Sequence, residues 1–306
     1  MNHHAANQKG QATVLTLVFL VALLAMAAFV LDVGSWYRAD RHAQATADAA
    51  ALAGAQVLPE DPAKASALAQ SYVSKNGGGT ATVKFKTKTR PNDAISVEIK
   101  KKQPAYFSKA LGFGSATVGA HALAQAAVPA KALNVAPITI GSDNPQLKCG
   151  APCYGRQTNL IALPTGNYSG NMTNFELVDL AKNGGRQSST TLANWLRQGY
   201  NGYVQPGSYP GVSSTQFNSP EFRQAMLDMR GKEIVVLIHT NATGNEGQAG
   251  ALYTEVGWAG FVITDFNGSG AQGTLVGYFT SVNTGGVGST DPKAPYYGVR
   301  TISLLE

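Results

Sequence analysis

Charge is scarce in this 306-residue chain: Asp, Glu, Lys and Arg make up 14%, against about 25% in an ordinary soluble domain. So few charges exclude a disordered polyelectrolyte. Cysteine is scarcer, with Cys149 and Cys153 the only two. A single pair at C-x3-C spacing is not the redox C-x-x-C, and no second pair completes a zinc site. Histidine is also rare. His3, His4, His42, His121 and His239 fall at no H-E-x-x-H or other multi-histidine spacing, which excludes the helical zinc-protease pattern. No G-x-S-x-G occurs, so the nucleophile turn of the common serine hydrolases is missing. From these absences the sequence is expected to be non-enzymatic and to hold no cofactor.

What is abundant is unevenly placed. Of 34 glycines, 25 lie from Gly141 onward, and they follow no Gly-X-Y period, which excludes collagen. The net charge of +6 lies wholly in residues 1–128, with 13 Lys/Arg against 7 Asp/Glu, while residues 129–306 carry 11 of each. Ala12–Leu31 is a run of 20 residues without charge, Gly or Pro, about 30 Å as a helix and so one bilayer core. Lys9 on its short side predicts a cytoplasmic N-terminus, and Trp36 and Tyr37 suit the opposite interface. The basic residues flank this segment, so lipids or cell-wall anions are the expected partners and nucleic acid is not. A cleaved signal peptide is the rival, with Ala25-Met26-Ala27 a poor cleavage site.

The helix is expected to continue past Leu31. Ala43, Ala47, Ala50, Ala51 and Gly54 share one face of an Ala-rich stretch, where small residues let another helix approach closely. Periodicity leaves open whether that helix belongs to a partner or to the chain itself.

The whole of Lys9–Ala55 resembles the N-terminal segment of the TadE/TadG-like family of Flp (Tad, tight-adherence) pilus assembly proteins. The resemblance rests on an ordered set: the Lys-Gly-Gln-Ala start, the uncharged span, Asp32-Val33-Gly34, then Tyr37, Arg38 and Arg41, and finally Ala47-Asp48-Ala49-Ala50-Ala51-Leu52-Ala53-Gly54-Ala55. It implies a single-pass membrane protein of a pilus assembly or secretion system, with other components of that system as partners. Prepilin-type members carry Glu at the fifth position after the processed Gly, where this chain has Leu15 after Gly10. That departure favours the TadG-like side of the family over a pilin-like fibre subunit. The Asp-x-Ser-x-Ser metal site of some TadG-like proteins is also absent.

The expected fold is α+β. Residues 1–11 form the cytoplasmic N-terminus, 12–31 the transmembrane helix and 32–58 its Ala-rich extension. Residues 59–128 form a small α+β subdomain, and 129–306 a mainly β extracytoplasmic domain. Asp61-Pro62 opens a helix that ends near Asn76-Gly77. Ala81–Thr89 and Ala94–Lys102 alternate as a hairpin, with Lys84, Lys86, Lys88, Lys100 and Lys102 on a basic outer face. Pro104–Leu111 reads as a short helix and Ser115–Val128 as a strand. Ile234–His239 is an unbroken apolar run, the mark of a central strand. Ala251–Phe266, Thr274–Thr280 and Tyr296–Leu304 are further strands of the outer domain. Helices are expected around Leu192–Leu196 and from Ser219-Pro220. Thr173–Glu176 fits a capping box, while Asn174–Leu180 alternates like a strand.

Three features carry alternative chemistry. Asp265, Asn267 and Ser269 fit the first half of a calcium loop, with Val276 where the bidentate Glu should stand. Gly268–Gly273 fits G-x-G-x-x-G but opens no helix, so it reads as a hairpin loop. His239, Tyr200, Tyr203, Tyr209, Tyr296 and Tyr297 would serve a rival reading, an anchored enzyme or binding module. Cys149 and Cys153 close a small loop in an oxidising compartment and are two thiols otherwise.

Overall fold

A computed structural model describes residues 9–77, 79–107, 109, 112, 114–161, 175–245, 247–269 and 272–305. His3, His4, Leu111, Thr173 and Gly270 lie outside them. Helix α1 (Lys9–Ala55) runs unbroken for 47 residues, about 70 Å at 1.5 Å per residue. No Pro interrupts it, and Ala dominates its second half. Its two halves meet different surroundings. From Val14 to Leu31 the large apolar side chains are exposed, Leu15 to 70%. Among the described residues this is the one helix long and apolar enough to cross a membrane.

The second half is packed into the protein. Ala43, Ala47, Ala50, Ala51 and Gly54 are buried against α2 (Pro62–Lys75) and the inner face of a five-stranded sheet. The chain's own elements therefore cover the small-residue face, and no partner helix can occupy it. A Cβ on Gly54 would stand 2.5 Å from Ile95 Cδ1 and 3.0 Å from the Ala65 carbonyl oxygen. Only glycine lets the two elements come this close. Asp61 caps α2 by accepting the Lys64 N–H at 2.8 Å, with Pro62 at its first turn.

The first sheet begins with β1 (Thr80–Lys86), β2 (Ala94–Gln103) and β3 (Ala116–Ala127), and is completed by β14 (Val299–Leu304) and β12 (Val282–Asn283). Its inner face presents Val83, Phe85, Ile95, Val97, Ile99 and alternate alanines from Ala120 to Ala126 to the two helices. The β1–β2 turn is tied by Asp93. Its carboxylate accepts the N–H groups of Lys88, Thr89 and Arg90, the Thr89 hydroxyl and the Gln125 amide. Burial pulls that carboxyl up, but these donors outweigh it and hold the group below the usual range. Lys88 consequently sits in the turn and not on β1, which removes it from the basic face.

Two expected elements differ. Of the helix expected over Pro104–Leu111, residues 104–107 are non-helical, with a bend at Tyr106 and Phe107, while Lys109 lies in a 3-10 turn; the Tyr106 and Phe107 N–H groups are taken by a side chain of α1 (below). The final strand, expected in the outer domain, crosses back instead and pairs antiparallel with β3, Thr301 opposite Ala127 through Leu304 opposite Ala124. The physical reason is an open edge: β3 would otherwise end the sheet, and Ile302 packs beside its alanines.

The second sheet runs β6 (Gln157–Ile161), β11 (Gln272–Thr280), β10 (Leu252–Ser269), β9 (Glu233–Thr243), β5 (Val135–Gly141) and β7 (Phe175–Leu177), with β8 (Gly207–Pro210) also on β10. Among the described residues of this sheet, β5 and β9 are the strands that pair in parallel. Strand β9 is central, and its run Ile234–Ile238 is buried on both faces, as an unbroken apolar run requires. One face is covered by α4 (Ser189–Gln198) and α5 (Pro220–Asp228), each N-capped by the preceding Ser. The short helix α3 (Pro145–Cys149) follows β5, and β4 (Pro129–Ala132) pairs with β13 (Gly286–Gly288) beside the junction of the sheets. The Thr173–Glu176 ambiguity resolves as a strand from Phe175 onward.

Gly54 gives the first prediction. Gly54→Val should destabilise the folded protein by about 1–3 kcal/mol through overpacking. Gly34→Ala, at a site with no atom within 4 Å, should not. Thermal unfolding of both variants in detergent, followed by circular dichroism, checks the contrast.

Candidate functional site

The chemistry of this molecule gathers along α1 and where α1 meets the sheets. Asp32 follows directly on the apolar span and is fully buried. Its carboxylate accepts the Tyr106 N–H at 2.9 Å and the Phe107 N–H at 3.1 Å. One turn further on, the Trp36 indole N–H donates to the Pro104 carbonyl at 3.2 Å. The loop after β2 is thus clamped to α1 at the point where the helix leaves its apolar span. Tyr37, Tyr106 and Phe107 are 59%, 64% and 53% exposed around this clamp.

At the far end of α1 a second junction ties the helix to the C-terminal strands. The Arg300 guanidinium pairs with Glu60, donates to the Gln56 carbonyl at 2.7 Å and to Asn283 Oδ1 at 2.8 Å. Glu60 also accepts from the Tyr296 hydroxyl. Burial, reinforced by the Glu60 charge, pushes the Tyr296 phenol far up, and the same causes push Tyr154 up to about 12. Side-chain exposure is 6% for Arg300 and 19% for Glu60, so removing either partner strands a buried charge.

Inside the second sheet lies a buried polar trio. The Thr139 hydroxyl is 2.9 Å from His239 Nδ1 and donates to Glu255 Oε2 at 2.9 Å. Burial drives the Glu255 carboxyl up to about 8 and the His239 imidazole down to about 4. Both are therefore neutral near pH 6, as groups without counter-charges must be. His239 stacks edge-on against Tyr253 at 5.1 Å. All three side chains are buried in the interior.

The remaining candidates do not converge. Asp265, Asn267 and Ser269 lie in strand β10, paired with β11, not in a metal-binding loop. Asp265 is engaged by Arg230 and by the Phe266 N–H, and those hydrogen bonds lower its carboxyl. The calcium reading is corrected on that ground. Among the described residues no three His, Cys, Asp or Glu side chains cluster as a metal site. Gly268 and Gly273 pair across the β10–β11 hairpin. Tyr200 stacks on Trp195, Tyr209 bonds Gln205, Tyr296 joins the Arg300 junction and Tyr203 stands exposed, so they form no common face. Lys84, Lys86, Lys100 and Lys102 are not buried, and Lys100 pairs with Glu98 at 2.8 Å. Cys149 and Cys153 are disulfide-bonded around Gly150–Pro152.

The comparisons with known proteins fall on the clamp-bearing helix. Residues 10–57 match the Tad family, TadE/G-like, of Flp pilus assembly. The similarity is confined to this N-terminal, Tad-like segment. It starts at the head of α1 and ends two residues past it, so it takes in both the apolar span and the packed Ala-rich half. The Tad segment supports involvement in Flp pilus assembly. No curated protein and no solved structure matches the chain.

Asp32 is the residue that composition and periodicity pass over, although it stands in the Asp32-Val33-Gly34 motif. The one signal for it is an acid set immediately after 20 uncharged residues. Glu60 and Arg300 leave no such sign, being 240 residues apart.

Two predictions follow from this geometry. Asp32→Ala removes charge-assisted hydrogen bonds of about 1.5–3 kcal/mol. Trypsin should then cut after Lys102 or Lys109 at least 10-fold faster, with the unfolding temperature of the body little changed. The second concerns pH. An acid whose folded pKa is raised from 4.5 to about 8 loses stability as pH climbs between those values. An imidazole lowered from 6.5 to about 4 loses it as pH falls across that window. The two slopes cancel below 6.5, so this trio destabilises the fold only from about pH 6.5 to 8, by about 1.4 kcal/mol per unit. Glu255→Gln should abolish that decline in urea melts recorded from pH 5 to 8.5.

Proposed function

We propose that this protein is a non-enzymatic, membrane-anchored component of a Tad/Flp-type pilus assembly or secretion system. Residues 12–31 span the membrane with the N-terminus in the cytoplasm. The two sheets stand outside and contact pilus subunits or other assembly components. The observation that carries the reading is the Tad segment itself. It forms one continuous helix whose first half is apolar and exposed and whose second half is packed into the first sheet.

Such a helix does more than tether. Because Ala43 to Gly54 are locked against α2 and β2, no flexible linker separates the span from the outer body. The Arg300–Glu60 junction ties the end of α1 to β14 of the same sheet, and the bridges from Tyr297 and Gly298 to Ala259 of β10 carry the connection on to the second sheet. A force or a tilt applied to the outer body is therefore transmitted to the membrane helix. A rigid connection of this kind suits an assembly part held in register with its neighbours. The full burial of Thr139, His239 and Glu255 suits a structural role.

Fractionation with intact-mass analysis tests the proposal. The expected result is a full-length mass in the membrane pellet, with the C-terminus open to external protease. It is accompanied by loss of pili when residues 1–58 are replaced by a cleavable export signal. A mass beginning at Gln11 in sheared fibres would make the chain a fibre subunit and overturn it. So would normal pili without the anchor.

A further inference from the structure

Beside the clamp, α1 and the first sheet enclose an open cleft of about 570 Å³ lined by Ser35, Arg38, His42, Gly77, Lys101 and Tyr106, with Ala39 and Gln103 completing it. Three of these side chains are basic and no carboxylate lines the cleft. Along α1, Asp40 stands two residues from both Arg38 and His42, about 200° round the helix and so on its other side, and Asp32 is committed to the Tyr106 and Phe107 N–H groups. Lys101 is steadied by donating to the Gly77 carbonyl at 2.8 Å. Arg41, one turn from Arg38, lies over the Tyr37 ring at 5.1 Å. Arg38 forms no ion pair or hydrogen bond among the described residues. The Ser35 hydroxyl is buried and has no hydrogen-bond partner.

The level of the cleft identifies what fills it. Ser35 and Arg38 lie four and seven residues beyond Leu31, about 6 and 10 Å along the helix. Headgroups occupy about 5–7 Å outside each face of the hydrocarbon core. Side chains on a helix lean toward its N-terminus, which for α1 is toward the bilayer. Arg38 thus leans back into the headgroup layer, and the exposed Tyr106 and Phe107 stand at the same level, where aromatic rings favour the interface.

We infer that this cleft binds the phosphate of an anionic phospholipid headgroup, held by Arg38 and by the long side chain of Lys101, with the Ser35 hydroxyl donating to it. A guanidinium and an ammonium converging on one open, acid-free pocket match a phosphate oxygen set. The site rests on the reading of residues 12–31 as a membrane span. Lys101 alternates in β2 with Lys100 and Lys102 and so faces the other side of the strand, which sets the cleft apart from the basic outer face of the hairpin.

The test uses the full chain in nanodiscs of equal phosphatidylglycerol and phosphatidylcholine, with retained lipids identified by mass spectrometry after release. Each cation near an anionic surface is worth about fivefold in affinity. The wild type should retain phosphatidylglycerol over phosphatidylcholine by about fivefold or more. Arg38→Gln, an exposed helix position where folding is not at stake, should cut that preference severalfold, and Arg38→Gln with Lys101→Gln should bring it near parity. Lys84→Gln with Lys86→Gln should leave it unchanged. Equal preference in wild type and Arg38→Gln overturns the site. Stabilisation by inorganic phosphate in detergent that Arg38→Gln abolishes, with no lipid preference in nanodiscs, assigns the cleft to a soluble anion and also overturns it. Protease protection of residues 12–31 in the same discs separates the two levels. An unprotected span fails the anchor reading, whereas a protected span without lipid preference fails this site alone.

Discussion

Everything in this molecule hangs on how closely the Ala-rich half of α1 can lie against the sheet beneath it. Ala43, Ala47, Ala50 and Ala51 contribute almost no side-chain bulk, and Gly54 contributes none. The helix backbone therefore sinks until Ile95 and the α2 backbone touch it. A helix whose backbone hydrogen bonds are internal can pass from hydrocarbon to protein without interruption. The same helix can thus be a membrane span at one end and a core element at the other.

The polar interactions secure what the packing positions. Where the apolar span ends Asp32 holds the 104–107 loop, and at the far end Arg300 and Glu60 bind the C-terminal strands to the end of α1. Both are largely shielded from water, so both bind strongly and tolerate little change. The first sheet lies between them, closed by a strand from the chain's own C-terminus. First and last parts of the chain consequently fold as one unit around α1. The Tad segment is structurally inseparable from the strand that ends the chain.

Local pattern reveals the local elements. The uncharged run, the capped helices at Asp61 and Ser219, the alternating hairpin strands and the unbroken run at Ile234 each follow from chemistry within a few residues. The misses have a common cause. Residues 104–107 are fixed by Asp32, more than 70 residues earlier, which takes the Tyr106 and Phe107 N–H groups. Asp265 reads as a metal ligand until Arg230 is folded against it. Lys88 reads as a strand residue until the Asp93 carboxylate turns the chain.

By itself the sequence determined a membrane-length helix with a small-residue continuation, the family resemblance of that segment, and a β-rich remainder poor in catalytic groups. It determined these because hydropathy, helix propensity and period-two alternation act between near neighbours. Only the tertiary structure decided what covers the alanine face, which sheet receives the last strand, and that Glu255 and His239 share a hydroxyl in the dry interior. It also decided that Arg38 and Lys101 converge where the apolar span ends. Those outcomes depend on which distant residues the fold brings within a few ångströms. At that range burial and charge, negligible along an extended chain, outweigh every local preference.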